Sequence, residues 1–279
     1  MKFCVDYSKD FPYLKEVDEL NISFNKRDLS LLDFLLLHKD KRINIEIKDT
    51  QEFIYDDSIN LFKAYLEKYP DLNFYLKLPV SANFGQFYSI VKDSNLKFYY
   101  DKYINSWDVL YSFVNMGVSD VYITEELGFE LDKVSSFCHS KGVKVRAFPN
   151  VCQNGWIGVP DIKGFFIRPE DVSLYEPYID TLEFYKSKKS LGTLYRVYAK
   201  EKKWFGQLKE LILSFNEDLD SRCILPIFSE KRISCGKKCL KGESCKICNN
   251  IKKLSDVLER EKIIIKPLED NWFLINFII

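Results

Sequence analysis

Short β-rich runs alternate with amphipathic stretches over residues 1–185, and few folds are compatible with that rhythm. Runs with strand character fall at 2–7, 20–24, 42–48, 74–79, 96–100, 120–124, 144–148, 164–168 and 181–185, most of them rich in Val, Ile, Phe and Tyr. Amphipathic segments at 58–69, 107–116, 127–141 and 171–178 lie between them. Strand, helix, strand at spacings of about twenty to thirty residues makes βα units, which stack their strands in parallel with the helices outside. Eight or nine such units favour closure into a barrel. An open doubly wound sheet calls for a Gly-rich phosphate loop after an early strand, and neither G-x-G-x-x-G nor G-x-x-x-x-G-K-[ST] occurs. The expected fold is therefore α/β: TIM-barrel-like (βα) repeats over residues 1–200, followed by a C-terminal region, 201–279, that carries a four-cysteine metal-binding extension.

The extension is the second constraint. Cys235, Cys239, Cys245 and Cys248 fall within CGKKCLKGESCKIC, spaced C-x3-C-x5-C-x2-C, while Cys4, Cys138, Cys152 and Cys223 are scattered through apolar segments. The residues between the four are mostly Gly, Lys, Ser and Glu, which make solvated turns and no core. Four thiolates suit tetrahedral zinc at about 2.3 Å each, and iron–sulfur clusters use the same ligand set. Both stay open, with a structural zinc slightly favoured. Lys237, Lys238, Lys241 and Lys246 surround the quartet and would offset its negative charge. Nothing at the N-terminus resembles a signal peptide, and no apolar run reaches membrane-spanning length. The expectation is a cytoplasmic chain with reduced thiols.

Lys plus Arg equals Asp plus Glu at 41 each, so bulk charge selects neither nucleic acid nor an anionic membrane. The two histidines, His38 and His139, sit in helix-like segments, which makes a histidine-based catalytic apparatus a poor fit.

The best-formed repeat is GVSDVYITEELGFELDKVSSFCHSKGVKVRAFP, residues 117–149, continued by Asn150, Val151, Cys152 and Gln153. This run, together with RPEDVSLYEPYIDTLEFYKSKKSLGTLYRVYAKE and its Tyr195-Arg196 pair, resembles the barrel of the collagenase-like peptidase family over residues 117–200. Relatives of that family include oxygen-independent hydroxylases of tRNA, ribosomal RNA and ubiquinone that hold an iron–sulfur cluster. The resemblance implies a βα-barrel and, at its widest, chemistry on RNA or a small planar substrate. The chain departs from the family pattern in three ways: it lacks an H-G motif, it has Tyr185-Lys186-Ser187 where Gly-Arg is expected, and its cysteines lie together after the repeats. The fold transfers more readily than the activity.

Barrel enzymes place their chemistry at the C-terminal ends of the strands. Here that rim would hold Asn25, Lys48, Lys77, Asp101, Glu125, Asn150, Arg168 and Glu183. Of these, Glu125, Arg168 and Glu183 are the candidate catalytic set, an acid–base carboxylate pair flanked by a fixed cation. A salt-bridge network at the barrel mouth is the competing reading of the same residues. Residues 202–215 read as an amphipathic helix, 250–260 as another, and the apolar end WFLINFII as a buried closing element or an oligomer contact. Three classes of function remain open: a metal-containing barrel enzyme, a zinc-stapled module gripping nucleic acid through Lys237, Lys238, Lys241 and Lys246, and an assembly protein on an inactive barrel.

Overall fold

The computed structural model describes residues 1–24, 31–47, 58–79, 95–101, 103–123, 125–151, 165–185, 189–215, 263–267 and 273–277, with single positions at 88, 91, 221, 230, 233 and 257. Two compact units result. The first comprises Met1–Ile123, Ser135–Ala147 and Ile179–Glu183; the second comprises Thr124–Val134, Phe148–Tyr178 and Phe184–Ile279.

The first unit is a parallel barrel. Its strands are β1 (Lys2–Asp6), β2 (Glu19–Ser23), β3 (Arg42–Glu46), β4 (Phe74–Leu78), β5 (Phe98–Tyr100), β6 (Tyr103–Ile104), β7 (Asp120–Ile123), β8 (Lys144–Ala147) and β9 (Thr181–Glu183). They form one nine-stranded sheet in the order β5-β4-β3-β2-β1-β9-β8-β7-β6. The two edges belong to consecutive pieces of chain: β5 pairs with β4, β6 pairs with β7, and only Asp101 and Lys102 separate them. They act as halves of one interrupted strand, so the sheet is an eight-stranded, nearly closed barrel. Ser119 seals the remaining seam by donating to the Phe98 carbonyl from its backbone N at 2.9 Å and from Oγ at 3.0 Å.

The local sequence explains the units. The helix Trp107–Asn115 starts at Ser106, whose side chain accepts from Val109 N, and Gly117 at φ +76° turns the chain into β7. Gly142 at φ +72° does the same between the helix Leu131–Ser140 and β8. The helix Ser58–Lys68 buries Phe62, whose ring lies 5.3 Å from that of Phe74 and 5.5 Å from that of Phe24.

Two sequence expectations are corrected. The run expected at 164–168 is not a barrel strand over its described residues, 165–168. β8 pairs with β9 directly, Arg146 opposite Thr181, and β9 pairs in turn with β1, which leaves no free edge between them. Within the second unit Phe165 and Phe166 are buried, and Phe165 packs against Phe129 and Tyr175. Residues 202–215 are not one helix either, since only Leu208–Leu211 makes a helical turn. Lys202 adopts a left-handed conformation and Gly206 has φ +156°, and both interrupt the α-helical path.

The second unit also contains an antiparallel pair, β10 (Ile263–Pro267) with β11 (Phe273–Phe277), the latter inside the apolar end of the chain. No helix among the described residues is long and apolar enough to cross a membrane.

Candidate functional site

Successive side chains on a strand point to opposite faces. One set of alternate positions in the barrel is apolar and buried: Val5, Leu20, Ile43, Ile45, Leu76, Val121, Val145 and Leu182. The other set meets across the barrel, where residues on distant strands touch only through the lumen. Arg42 of β3 makes a paired bond to Asp120 of β7, both contacts at 2.8 Å. Arg146 of β8 reaches Glu19 of β2 at 2.7 Å, Asp120 at 3.3 Å and Glu183 of β9 at 3.1 Å. Lys77 of β4 reaches Glu183 at 2.9 Å. Among the described residues, the lumen thus holds three cations, Arg42, Lys77 and Arg146, against three carboxylates, Glu19, Asp120 and Glu183. Barrels are more often filled by Val, Ile and Leu. A charged lumen folds only if each ion is matched, because an unpaired buried charge costs several kcal/mol.

Neutral groups complete the matching. Asn44 donates to Asn21 Oδ1 at 3.1 Å and accepts from Arg42 Nε at 2.9 Å, while Thr181 donates to Glu19 at 3.1 Å. The Arg42 guanidinium lies 3.5 Å from the centre of the Tyr75 ring, and the Arg146 guanidinium 5.2 Å from that of Tyr99. Cys4, one of the scattered cysteines, is buried here as a free thiol donating to Asn21 Oδ1 at 3.1 Å. Two lumen donors, the Tyr99 hydroxyl and Arg146 Nε, have no hydrogen-bond partner among the described residues. Tyr99→Phe is therefore expected to leave stability unchanged or raise it by up to about 1 kcal/mol in urea unfolding, since it deletes an unsatisfied buried hydroxyl. A loss above about 1 kcal/mol would mean that the hydroxyl is engaged.

At the C-terminal ends of the strands the balance of charge changes. Glu183 Oε1 accepts from Lys77 and, at 2.9 Å, from Asn21 Nδ2; Glu183 Oε2 accepts from the Tyr122 hydroxyl and from Arg146. Burial alone would raise its carboxyl, but Lys77 and Arg146 outweigh that and bring it down to about 2. Burial likewise works against the Lys77 ammonium, and Glu183 outweighs it, so Lys77 is held charged well above the usual lysine range. Asp101 lies 3.5 Å from Lys77 with its side chain partly open to solvent. Asp6 accepts from Asn21 Nδ2 at 3.2 Å, and Glu46 accepts from Ser23 Oγ at 3.0 Å. Crowding by protein pushes the Asp101 and Asp6 carboxyls up even though part of each reaches water, with Glu183 and Glu46 adding to the rise. The mouth therefore combines a fixed cation, a fixed anion and two carboxyls displaced toward the range where protons are exchanged.

No protein-family model matches this chain, and no curated protein matches it. Among solved structures, the chain is similar to tryptophan synthase of Mycobacterium tuberculosis, with a TM-score of 0.40 and 11% identity over 84% of this chain and 91% of that one. The barrel rests on its own strand pairing.

Of the residues singled out in the sequence, Glu183 stands at the centre of the mouth with Lys77 and Asp101, both named for the same rim. Glu125 opens the helical turn Glu125–Gly128 in the second unit, and its side chain lies outside the described residues. Arg168, also in the second unit, is buried, with Nε and Nη2 at 2.7 Å from the two Asp171 oxygens and Nη1 at 2.9 Å from the Ser221 carbonyl. Asn150 is a backbone clamp: its amide donates to the Tyr185 carbonyl at 2.7 Å and accepts from Tyr185 N at 3.0 Å. Asn25, Lys48, the quartet Cys235, Cys239, Cys245 and Cys248, and the lysines Lys237, Lys238, Lys241 and Lys246 lie outside the described residues. Among the described residues no group of three or more His, Cys, Asp or Glu side chains is arranged to hold a metal ion. Sequence reasoning missed Asp6, Glu46 and the paired lumen of Glu19, Arg42, Asp120 and Arg146. For Glu19, Arg42 and Glu46 the signal was the strict alternation of polar and apolar residues in ELNIS and RINIE.

Proposed function

We propose that this chain is a barrel enzyme whose reaction site is the C-terminal mouth, acting on a small polar or planar substrate. The observation that carries this reading is Lys77, a buried ammonium fixed between Glu183 and Asp101 at the strand ends where barrels place their chemistry. Lys77 serves as a permanent cation orienting an electron-rich substrate group, and Glu183, ionised throughout the ordinary pH range, is its counter-ion. Proton transfer falls to Asp101 and Asp6, whose raised carboxyls suit it. Arg168 acts by fixing its loop through Asp171, and Glu125 is kept as a candidate catalytic carboxylate on the sequence reading alone.

The same proposal includes a metal on Cys235, Cys239, Cys245 and Cys248, zinc or an iron–sulfur cluster, supported by their spacing. A link to the collagenase-like peptidase and hydroxylase group rests on the sequence resemblance. Nucleic-acid contact through Lys237, Lys238, Lys241 and Lys246, self-association through the apolar end, and a cytoplasmic setting belong to it as well. An inactive barrel kept for assembly is the competing reading, favoured by the complete pairing of Arg42, Asp120 and Glu19 deeper in the lumen.

Thermal unfolding of the full chain with a panel of nucleosides and small polar metabolites separates the two. A true ligand at about a hundredfold excess over its Kd adds about 2.7 kcal/mol. It should raise the Tm of the wild type but shift Asp101→Asn far less, while Asp101→Asn without ligand unfolds as the wild type does. A ligand that stabilises both proteins equally binds elsewhere and removes the mouth from consideration. Metal analysis of protein purified without oxygen tests the quartet: zinc without a visible band supports a staple, iron with sulfide supports a cluster, and neither metal ends that part of the proposal.

A further inference from the structure

In the second unit, residues 202–206 form a strained loop at the end of the π-helical turn Arg196–Glu201. Lys202 has φ 49° and ψ 39°, a conformation uncommon outside glycine and asparagine, and Gly206 has φ +156°. Several bonds hold this path. Trp204 N donates to Glu170 Oε1 at 2.7 Å, and Ser221 N donates to the Gly206 carbonyl at 3.0 Å. Ser221 Oγ donates to the same Glu170 carboxylate at 3.1 Å, and the Lys202 ammonium donates to Glu176 at 3.2 Å. Between these anchors Phe205 keeps 62% of its residue surface exposed. An apolar ring on a slack loop would fold back against the protein. Here the backbone on either side is fixed, so the ring stays out.

The neighbouring charges are arranged around two aromatic faces. Lys203 Nζ lies 5.6 Å from the Phe205 ring centre, and Lys189 Nζ lies 5.1 Å from that of Trp204. Lys189 is paired with Glu210 and Lys202 with Glu176, whereas Lys203 has no carboxylate partner among the described residues. By sequence, residues 196–210 carry five cations, Arg196, Lys200, Lys202, Lys203 and Lys209, and two carboxylates, Glu201 and Glu210.

We propose that this loop is a contact for single-stranded nucleic acid, with Phe205 stacking on a base and Lys203 meeting the adjacent phosphate. A flat exposed ring beside an uncompensated cation calls for a partner that presents planar faces and negative charges in repeating proximity. A single strand does so at every nucleotide. An acidic peptide supplies the charge without the planar face. The contact is independent of the barrel mouth and of the cysteine quartet.

The test is fluorescence anisotropy of the full chain with a short labelled oligouridylate across a range of salt. Phe205→Ala and Phe205→Leu should each weaken binding about tenfold at every salt, because stacking is lost in both. Lys203→Ala should reduce the slope of log K against log salt by about one. Both positions are on the surface, so circular dichroism and Tm should match the wild type. Since other lysines can add affinity, the differences between variants are the readout. Absence of binding by the wild type, unchanged binding in all three variants, recovery in Phe205→Leu, or tighter binding of an oligoglutamate peptide would each overturn the assignment.

Discussion

Glu183→Ala is expected to destabilise the protein by about 3–5 kcal/mol, the scale for breaking one partner out of a buried ion pair. Its four hydrogen bonds come from Lys77, Asn21, Tyr122 and Arg146, so truncation leaves several donors unsatisfied at once. The loss is uneven. Arg146 keeps Glu19 at 2.7 Å and Asp120 at 3.3 Å, whereas Lys77 keeps only the longer, partly solvated contact to Asp101 at 3.5 Å. Most of the penalty is therefore a buried ammonium without a close anion. Lys77→Met introduced together with Glu183→Gln removes both charges and should recover a large part of it, because no buried ammonium is then left without its anion and the Gln amide can still meet Asn21 and Tyr122. Urea unfolding of the wild type, Lys77→Met, Glu183→Gln and the double variant measures the coupling. A double variant no more stable than Glu183→Ala would mean that the pair is not the seat of the effect.

Much of the barrel was legible because strands and helices were signalled by different periods. Eight of the nine expected runs coincide with strands to within a residue or two, since each is bounded by turn residues and all but the edge strand β5 pair on both sides. The exception, residues 164–168, shows the limit of that signal. A short buried apolar run reads alike whether it lies in a sheet or fills a core, and only the direct pairing of β8 with β9 distinguishes them. The failed helix at 202–215 has a different cause. Its apolar residues recur at helical spacing, but hydrogen bonds to Glu170 and Glu176 hold Lys202 and Trp204 off the helical path, and both acceptors lie about thirty residues upstream. At the mouth, Lys77, Asp101 and Glu183 could be named from strand-end logic alone. The partnerships could not, because Arg42 meets Asp120 across 78 residues and Arg146 meets Glu19 across 127. Those pairings depend on how far neighbouring strands are staggered around the barrel, a quantity no local pattern encodes.

Acid should unfold the barrel by protonating its own lumen. The Glu183 carboxyl lies at about 2 in the folded chain against an ordinary 4.5. A depressed carboxyl contributes stability that is fully present above the unfolded value and is lost as the pH falls through the folded one, so the window runs from about 4.5 down to about 2. At 1.36 kcal/mol per tenfold change, that difference corresponds to about 3 kcal/mol for Glu183 alone. Glu19, drawn down by Arg146 and Arg42 against its burial, and Asp120, drawn down by Arg42 and Arg146, change with the same sign and steepen the loss. Asp6 and Asp101 act in the opposite sense. Their carboxyls are raised, so their contribution is present below the ordinary carboxylate range and fades as the pH climbs through their folded values. Stability measured by urea unfolding from about pH 6 to about pH 2 should therefore change little at first and then fall steeply below about 4.5. In the variant carrying Lys77→Met with Glu183→Gln, the fall should be shallower by about the 3 kcal/mol assigned to Glu183, while Asp101→Asn should leave the steep limb in place. Equal acid limbs in the wild type and the charge-free variant would show that the Lys77–Glu183 pair contributes nothing to the pH dependence, and the acid sensitivity would then belong to Glu19 and Asp120.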